Sequence, residues 1–147
     1  MVVRVTNAQT EVPLNVRRMT RLARCAVRRL AIRTSGTFAI TFIDRQRMRA
    51  LNRRFLQHDR ITDVLSFRYD GEPTVGEVFI APRVARAYAQ QHGLPYEHEL
   101  GRYVVHGLLH WLGEEDRTSR QQTRMRQREN RVLTACGLTV AHGHPHG

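Results

Sequence analysis

One short segment, His106 to Asp116, constrains the fold more than any other part of the chain. It reads HGLLHWLGEED, so two histidines stand four residues apart inside an apolar run. On an α-helix, residues four apart lie one turn above each other on the same face. We therefore predict a helix on which the rings of His106 and His110 converge on one point.

The residues around these histidines indicate both a helix and a metal site. Apolar side chains at helical spacing predict the face that packs into the core, namely Val105, Leu108, Leu109 and Leu112. Gly113 is predicted to end the helix as a left-handed cap, so that Asp116 can return to the histidines. Three protein ligands with an open position are typical of catalytic zinc. The alternative is two histidines that only form local hydrogen bonds on a half-buried helix.

Two motifs, in this order, resemble the YbeY-type endoribonucleases. The segment beginning at His106 is similar to that family's H-G-x-L-H-L-x-G-Y-D-H. Upstream, Leu51-Asn52, Asp59 and residues 62–67 (TDVLSF) are similar to its L-N…D-x-P-T-D/N-V-L-S-F, and residues 76–78 (GEV) fit its G-D/E-I strand. The metzincin zinc proteases share the histidine spacing, but they carry a glutamate as general base after the first histidine.

The resemblance implies a metal-dependent endoribonuclease that cuts single-stranded RNA. It implies a role in ribosomal RNA maturation, especially at a 3′ end, and in ribosome quality control, with ribosomal RNA and the ribosome or its proteins as partners. It also implies one Zn²⁺ per chain, held by His106, His110 and Asp116. Asp116 stands where the family has a third histidine, and because a carboxylate is a harder ligand, the preferred metal stays open.

The resemblance leaves the catalytic cation and the proton-transfer group open. The family's arginine after L-N-x-x-Y/F falls at Leu56, so Arg53 or Arg54 is a candidate replacement. Glu115 occupies the family's aspartate position and is a candidate for orienting a ligand or assisting proton transfer. Glu99 could do the same from the helix, or serve only as a charge near the helix start.

The charge of the chain is compatible with a nucleic-acid partner. The formal net charge is +11, and all 24 basic residues are arginine. Such a surplus suits phosphate backbones, although a soluble protein from an arginine-rich proteome would show it too. A stripe on the first long helix is a candidate RNA contact or a solvated face, namely Arg17, Arg21, Arg24 and Arg28. By resemblance, Ser66 and Phe67 are further RNA contacts; the alternative is plain core strands.

Length and patterning favour one α+β domain. The predicted order of elements, β-α-β-α-β-β-α-α-α, suggests a small mixed sheet of about four strands packed with about five helices. We expect the domain to span 1–140, with a flexible His/Gly-rich tail at 141–147. Cys25 and Cys136 are expected to be buried free thiols of a cytoplasmic protein, and no apolar run reaches the length of a membrane span.

Two other functions use the same residues. The metal could be structural, and the arginine-rich surface could dock on RNA or the ribosome without catalysis; Glu114 or Glu115 as a fourth ligand would favour this, because structural zinc has four protein ligands. Peptide hydrolysis is the second alternative, but Gly107 removes the usual general base.

Overall fold

The structure, a computed structural model, describes residues 1–56, 63–71 and 73–138. The described elements are β1 (Val2–Ala8), α1 (Val16–Arg29), β2 (Thr37–Ile43), α2 (Arg45–Leu51), a π-helical turn (Asn52–Leu56), β3 (Val64–Arg68), β4 (Thr74–Ile80), α3 (Pro82–His92), α4 (Tyr96–Trp111) and α5 (Ser119–Ala135). The predicted α+β class, with a four-stranded mixed sheet and five α-helices in these ranges, is confirmed. The predicted tail at 141–147, Asp59 and Thr62 lie outside them.

The sheet places the TDVLSF and GEV segments side by side. Its strand order is β1-β2-β4-β3, with β1, β2 and β4 parallel and β3 antiparallel to β4. Strand β3, which begins at Val64 within the TDVLSF segment, is therefore an edge strand. The neighbouring β4 carries the GEV motif and pairs antiparallel with β3, as expected from two strand-like runs separated by the turn-forming residues 70–73.

Alternate residues of the strands divide the hydrophobic residues into two cores. Phe38, Ile40 and Phe42 face the larger core, together with buried residues of α1 and α4. Ile43 and Leu65 face the opposite side, in a smaller core that includes α2. Helix α4 thus lies on one face of the sheet and α2 with the π-helical turn on the other.

Helix boundaries follow local capping signals. Asp44 and Thr118 accept hydrogen bonds from backbone N–H groups as N-caps of α2 and α5, as an N-cap side chain does. The apolar spacing predicts the first long helix from Pro13 to Ala31, but α1 begins at Val16, with Asn15 as the N-cap. Among the described residues, no helix combines the length and apolarity needed to cross a membrane.

The two cysteines correct a sequence prediction. Cys25 on α1 and Cys136 at the end of α5 form a disulfide with their Cα atoms 5.9 Å apart. Neither thiol is free, and both residues are half-buried. Sequence could not show this pairing, because the cysteines stand 111 positions apart and meet only through the packing of α1 on α5.

We predict that reducing this disulfide destabilises the fold. A cross-link that closes a loop of this length restricts the unfolded chain, so its loss should lower the free energy of unfolding by about 2–4 kcal/mol. Urea unfolding with and without reductant measures the change. The Cys25→Ser/Cys136→Ser variant, which no reductant can affect, is the control; an unfolding midpoint for the oxidised parent equal to that of this variant would contradict the prediction.

Candidate metal centre

Helix α4 ends in a motif that returns the chain toward the histidines. Gly113 has a φ of +99°, its N–H donates to the carbonyl of His110 at 2.9 Å, and the N–H of Glu114 donates to that of Leu109 at 3.0 Å. These two bonds form a Schellman cap, which glycine favours because it has no Cβ. The predicted glycine cap is confirmed, and it reverses the chain within a few residues of His110.

The reversal brings the three predicted ligand residues together. The carboxylate oxygens of Asp116 lie 3.6 Å from Nε2 of His106 and 3.5 Å from Nε2 of His110. One ligand atom from each residue lies within 4.8 Å of the other two. A tetrahedral zinc ion with ligands at about 2.0–2.2 Å places ligand atoms roughly 3.4 Å apart. The residues therefore fit one such ion, with room left for a ligand from outside the protein.

The environment of His110 keeps its imidazole suitable as a ligand. The side chains of His106 and His110 are 17% and 30% exposed, and that of Asp116 is 39% exposed. Burial lowers the pKa of His110, and the neighbouring His106 lowers it further, while Asp116 acts in the opposite direction. The neutral imidazole is the form that binds a metal, so this environment favours the binding form.

Close packing explains why the position after the first histidine holds Gly107 and not an acidic residue. A Cβ at this position would lie 2.7 Å from Cγ1 of Val78 and 3.3 Å from Cγ1 of Val64. The Oγ of Ser66 also donates to the carbonyl of Gly107 at 3.2 Å. Helix α4 is therefore packed so closely on β3 and β4 that no side chain fits there. The position that supplies the general base in metzincins faces the sheet in this fold.

Behind His106 lies a buried cluster of which sequence reasoning singled out Glu99 but missed Arg102 and Glu129. Oε2 of Glu129, on α5, lies 2.5 Å from Nδ1 of His106, while its Oε1 lies 3.3 Å from Nη1 of Arg102. Arg102 in turn donates from Nη2 to Glu99 at 2.5 Å. Both glutamates are only 1% exposed. Equal distance from the connecting loop would not have matched these residues, because His106 lies five residues before the end of α4 and Glu129 ten residues after the start of α5.

The two acids beside Asp116 have arginine partners instead of contacts with the triad. Glu114 forms an ion pair with Arg128, and the carboxylate of Glu115, which is half-exposed, lies 3.7 Å from Arg117. Neither acid is among the described residues grouped as metal ligands. The structure therefore gives no support to a fourth protein ligand from this pair.

The other predicted site residues lie outside the triad. Arg53 and Arg54 are exposed on the π-helical turn, and the guanidinium of Arg54 lies 5.3 Å from the centroid of the Phe55 ring. Ser66 bonds to α4, whereas Phe67, the next residue of the strand, lies on the opposite face of the sheet.

The arginine stripe is a separate surface. All four of its residues are exposed on α1: Arg17, Arg21, Arg24 and Arg28. Near its start, Arg18 forms an ion pair with Glu97 in the first turn of α4. At 1.5 Å per residue, Glu97 is about 13 Å along the helix from His106 and about 20 Å from His110. The structure does not bring this stripe together with the triad.

The fold and the site define a class of α+β proteins: a helix packed on a small mixed sheet carries two imidazoles, and the loop after it adds a carboxylate, so that the three side chains could hold one metal ion. The chain belongs to the family described as Endoribonuclease YbeY, whose model matches residues 4–137. The predicted family resemblance is confirmed.

Individual relatives agree with this family. The protein named Endoribonuclease YbeY in Phocaeicola vulgatus is 35% identical over 104 residues, which cover 70% of this chain and 75% of that protein. Its namesake in Staphylococcus aureus strain Newman is 32% identical over 120 residues, covering 74% and 77%. The solution structure of a Thermotoga maritima protein shares the fold, with a TM-score of 0.62, 21% identity and 90% coverage of each chain.

We predict that Gly107→Ala destabilises the protein although alanine is the better helix former. The added methyl group meets a branched, buried side chain, and such overpacking costs about 1–3 kcal/mol. Urea unfolding measures the loss. Val78→Ala creates the missing space, so the double variant should lose less stability than the two single variants together; additive losses would contradict the packing argument.

Proposed function

We propose that the protein is a metal-dependent endoribonuclease that cuts single-stranded RNA. The observation that carries this proposal is the open triad of His106, His110 and Asp116 in a chain of the Endoribonuclease YbeY family. The proposed cofactor is Zn²⁺, one per chain, with the choice of metal depending on the carboxylate of Asp116. When bound, such an ion activates water and polarises a phosphoryl oxygen.

The chain's own residues hold and orient the reacting groups. The two Nε2 atoms and the Asp116 carboxylate define three corners of the site, and Glu114 and Glu115 are paired with arginines and do not join them. This arrangement supports catalysis over a purely structural metal. We retain Glu115 as the proposed group for ligand orientation or proton transfer, since it directly precedes Asp116 and is half-exposed.

Three arginines are candidates for the cation that stabilises charge on the transferred phosphate. Arg53 and Arg54 lie close to Leu56, the position of the family's arginine. Arg126, on α5, lines the same small cavity as His106 and Asp116 and has a side chain that is 54% exposed. The cavity favours Arg126, and nearness in sequence favours the other two.

An aromatic row beside the edge strand supports binding of unpaired bases. The ring centroids of Phe55 and Phe67 are 5.2 Å apart, and those of Phe67 and Phe79 are 5.9 Å apart. Phe55 is 50% exposed, with the guanidinium of Arg54 next to it. Unstacked RNA bases bind to such aromatic and arginine surfaces. We propose that RNA crosses β3 near Ser66 and Phe67, while the stripe at Arg17, Arg21, Arg24 and Arg28 attracts more distant phosphates.

The proposed biological role is maturation of ribosomal RNA, including 3′-end processing, and quality control of ribosomes. Ribosomal RNA, with the ribosome or ribosomal proteins, is the proposed partner, and the cytoplasm the proposed location. The net charge of +11 supports an RNA substrate, and it requires binding to weaken steeply as salt rises. Disulfides are rare in the cytoplasm except in hyperthermophiles. A cytoplasmic location in any other organism therefore requires Cys25 and Cys136 to be reduced in the cell.

We predict that His110→Ala removes both the metal and the cleavage of an unstructured RNA. The parent should carry one metal per chain, because the triad offers a single position, and the variant should retain its unfolding transition because His110 is half-exposed. Elemental analysis and a cleavage assay with and without chelator measure these outcomes. His92→Ala, which removes an exposed histidine from α3, is the control. Cleavage by the His110→Ala variant at the parent's rate would contradict the proposed site.

We predict that one alanine substitution among Arg53, Arg54 and Arg126 lowers kcat by about 100-fold with little change in KM, as expected for loss of a donor to the transition state. Arg131→Ala, also exposed on α5, should leave both constants unchanged. Steady-state kinetics on one RNA at fixed salt separates the variants. If all three substitutions raise only KM, these arginines anchor phosphates and another group stabilises the charge.

A further inference from the structure

We propose that Glu129 is a positioning residue that fixes His106 with its Nε2 lone pair facing the metal position. The inference rests on the proposed metal site and deepens it. Glu129 lies on α5, outside both motifs of the family, and nothing in its local sequence distinguishes it from the other polar residues of that helix.

The hydrogen-bond partner of Nδ1 decides which nitrogen of the His106 imidazole is free to bind a metal. A neutral histidine carries one N–H donor and one lone pair, and the partner of one nitrogen decides the role of the other. Nδ1 of His106 lies 2.5 Å from Oε2 of Glu129, and because Glu129 is paired with Arg102 as a carboxylate, Nδ1 is the donor of this hydrogen bond. In the neutral ring, this leaves Nε2 unprotonated. Nε2 is the atom that lies 3.6 Å from the Asp116 carboxylate.

Glu129 is itself held rigidly. Its other oxygen accepts from Arg102 at 3.3 Å, and the side chain of Arg102 is 13% exposed and also bonds to Glu99. Burial of charged groups is costly unless they are paired. The carboxylate of Glu129 therefore cannot turn away from His106 without losing a buried ion pair with Arg102.

The balance of charge around Glu129 also supports this role. Two buried carboxylates, Glu99 and Glu129, share the guanidinium of Arg102, and Arg126 is more distant, at 3.8 Å and largely exposed. Asp116 adds a further negative charge on the other side of His106. A divalent cation at the triad would offset the remaining negative charge. Buried ion pairs are weak evidence for a stabilising role. The contact of Glu129 with His106, a proposed metal-binding residue, is therefore the better explanation for the buried Glu129–Arg102 pair.

The test is the zinc affinity of Glu129→Gln, measured by competition with a chelator of known affinity. The amide fills the same volume but removes the charge, and loss of such a partner of a metal-binding histidine weakens affinity about 10- to 100-fold. Glu97→Gln removes a partly exposed carboxylate from the first turn of α4. This control variant should bind zinc like the parent. Glu129→Asp, which keeps the charge, should recover part of the loss. Equal zinc affinity of the Gln variant and the parent would overturn the proposal.

A second measurement keeps the inference testable if the variant does not fold or the parent binds no zinc. In the metal-free parent, nitrogen NMR of the histidine rings at pH 8 reports which nitrogen of His106 carries the proton. We expect the Nδ1–H form. The Nε2–H form would overturn the positioning role of Glu129, whatever the zinc measurements show. A parent that has the Nδ1–H form but takes up no zinc would refute only the proposed metal site.

Discussion

The close contact between helix α4 and the sheet at Gly107 is the constraint on which the rest of this structure depends. A Cβ there would lie 2.7 Å from Val78, so the helix can approach β3 and β4 only because residue 107 has no side chain. This contact fixes the rotation of α4 about its axis. Once the side of Gly107 is against the sheet, His106 and His110 point along a different face, toward the chain that returns after Gly113.

The same constraint determines what chemistry the centre can support. Because position 107 is enclosed, the general base of the metzincins has no place, and acidic groups must reach the site from the chain after α4. Asp116 comes from the returning loop and Glu129 from α5. The capping box of Thr118 and Gln121 starts α5 immediately after that loop. One helical hairpin thus supplies two imidazoles, the carboxylate beside them and the carboxylate behind one of them.

Much of this centre could be predicted from sequence because its parts are local. The spacing of His106 and His110 and the cap at Gly113 depend on helix geometry within a few residues. Leu112 shows the limit of such periodicity: it was predicted for the core, but it lies just past the helix end and is 37% exposed.

The parts that sequence could not give depend on packing between distant elements. The disulfide joins residues from opposite ends of the chain, and the Glu129–Arg102–Glu99 cluster needs the register of α5 against α4. The mixed order of the sheet could be proposed from the hairpin of β3 and β4 and the intervening helices. The placement of Arg126 near the triad required the structure, because many exposed arginines share the same pattern on α1 and α5.

A crystal structure of the protein soaked with Zn²⁺ would identify the atoms that coordinate the ion. We expect one ion bound by Nε2 of His106, Nε2 of His110 and a carboxylate oxygen of Asp116, with solvent completing the coordination. An ion closed by a fourth protein ligand, or a triad in which Asp116 has turned away from both rings, would contradict it.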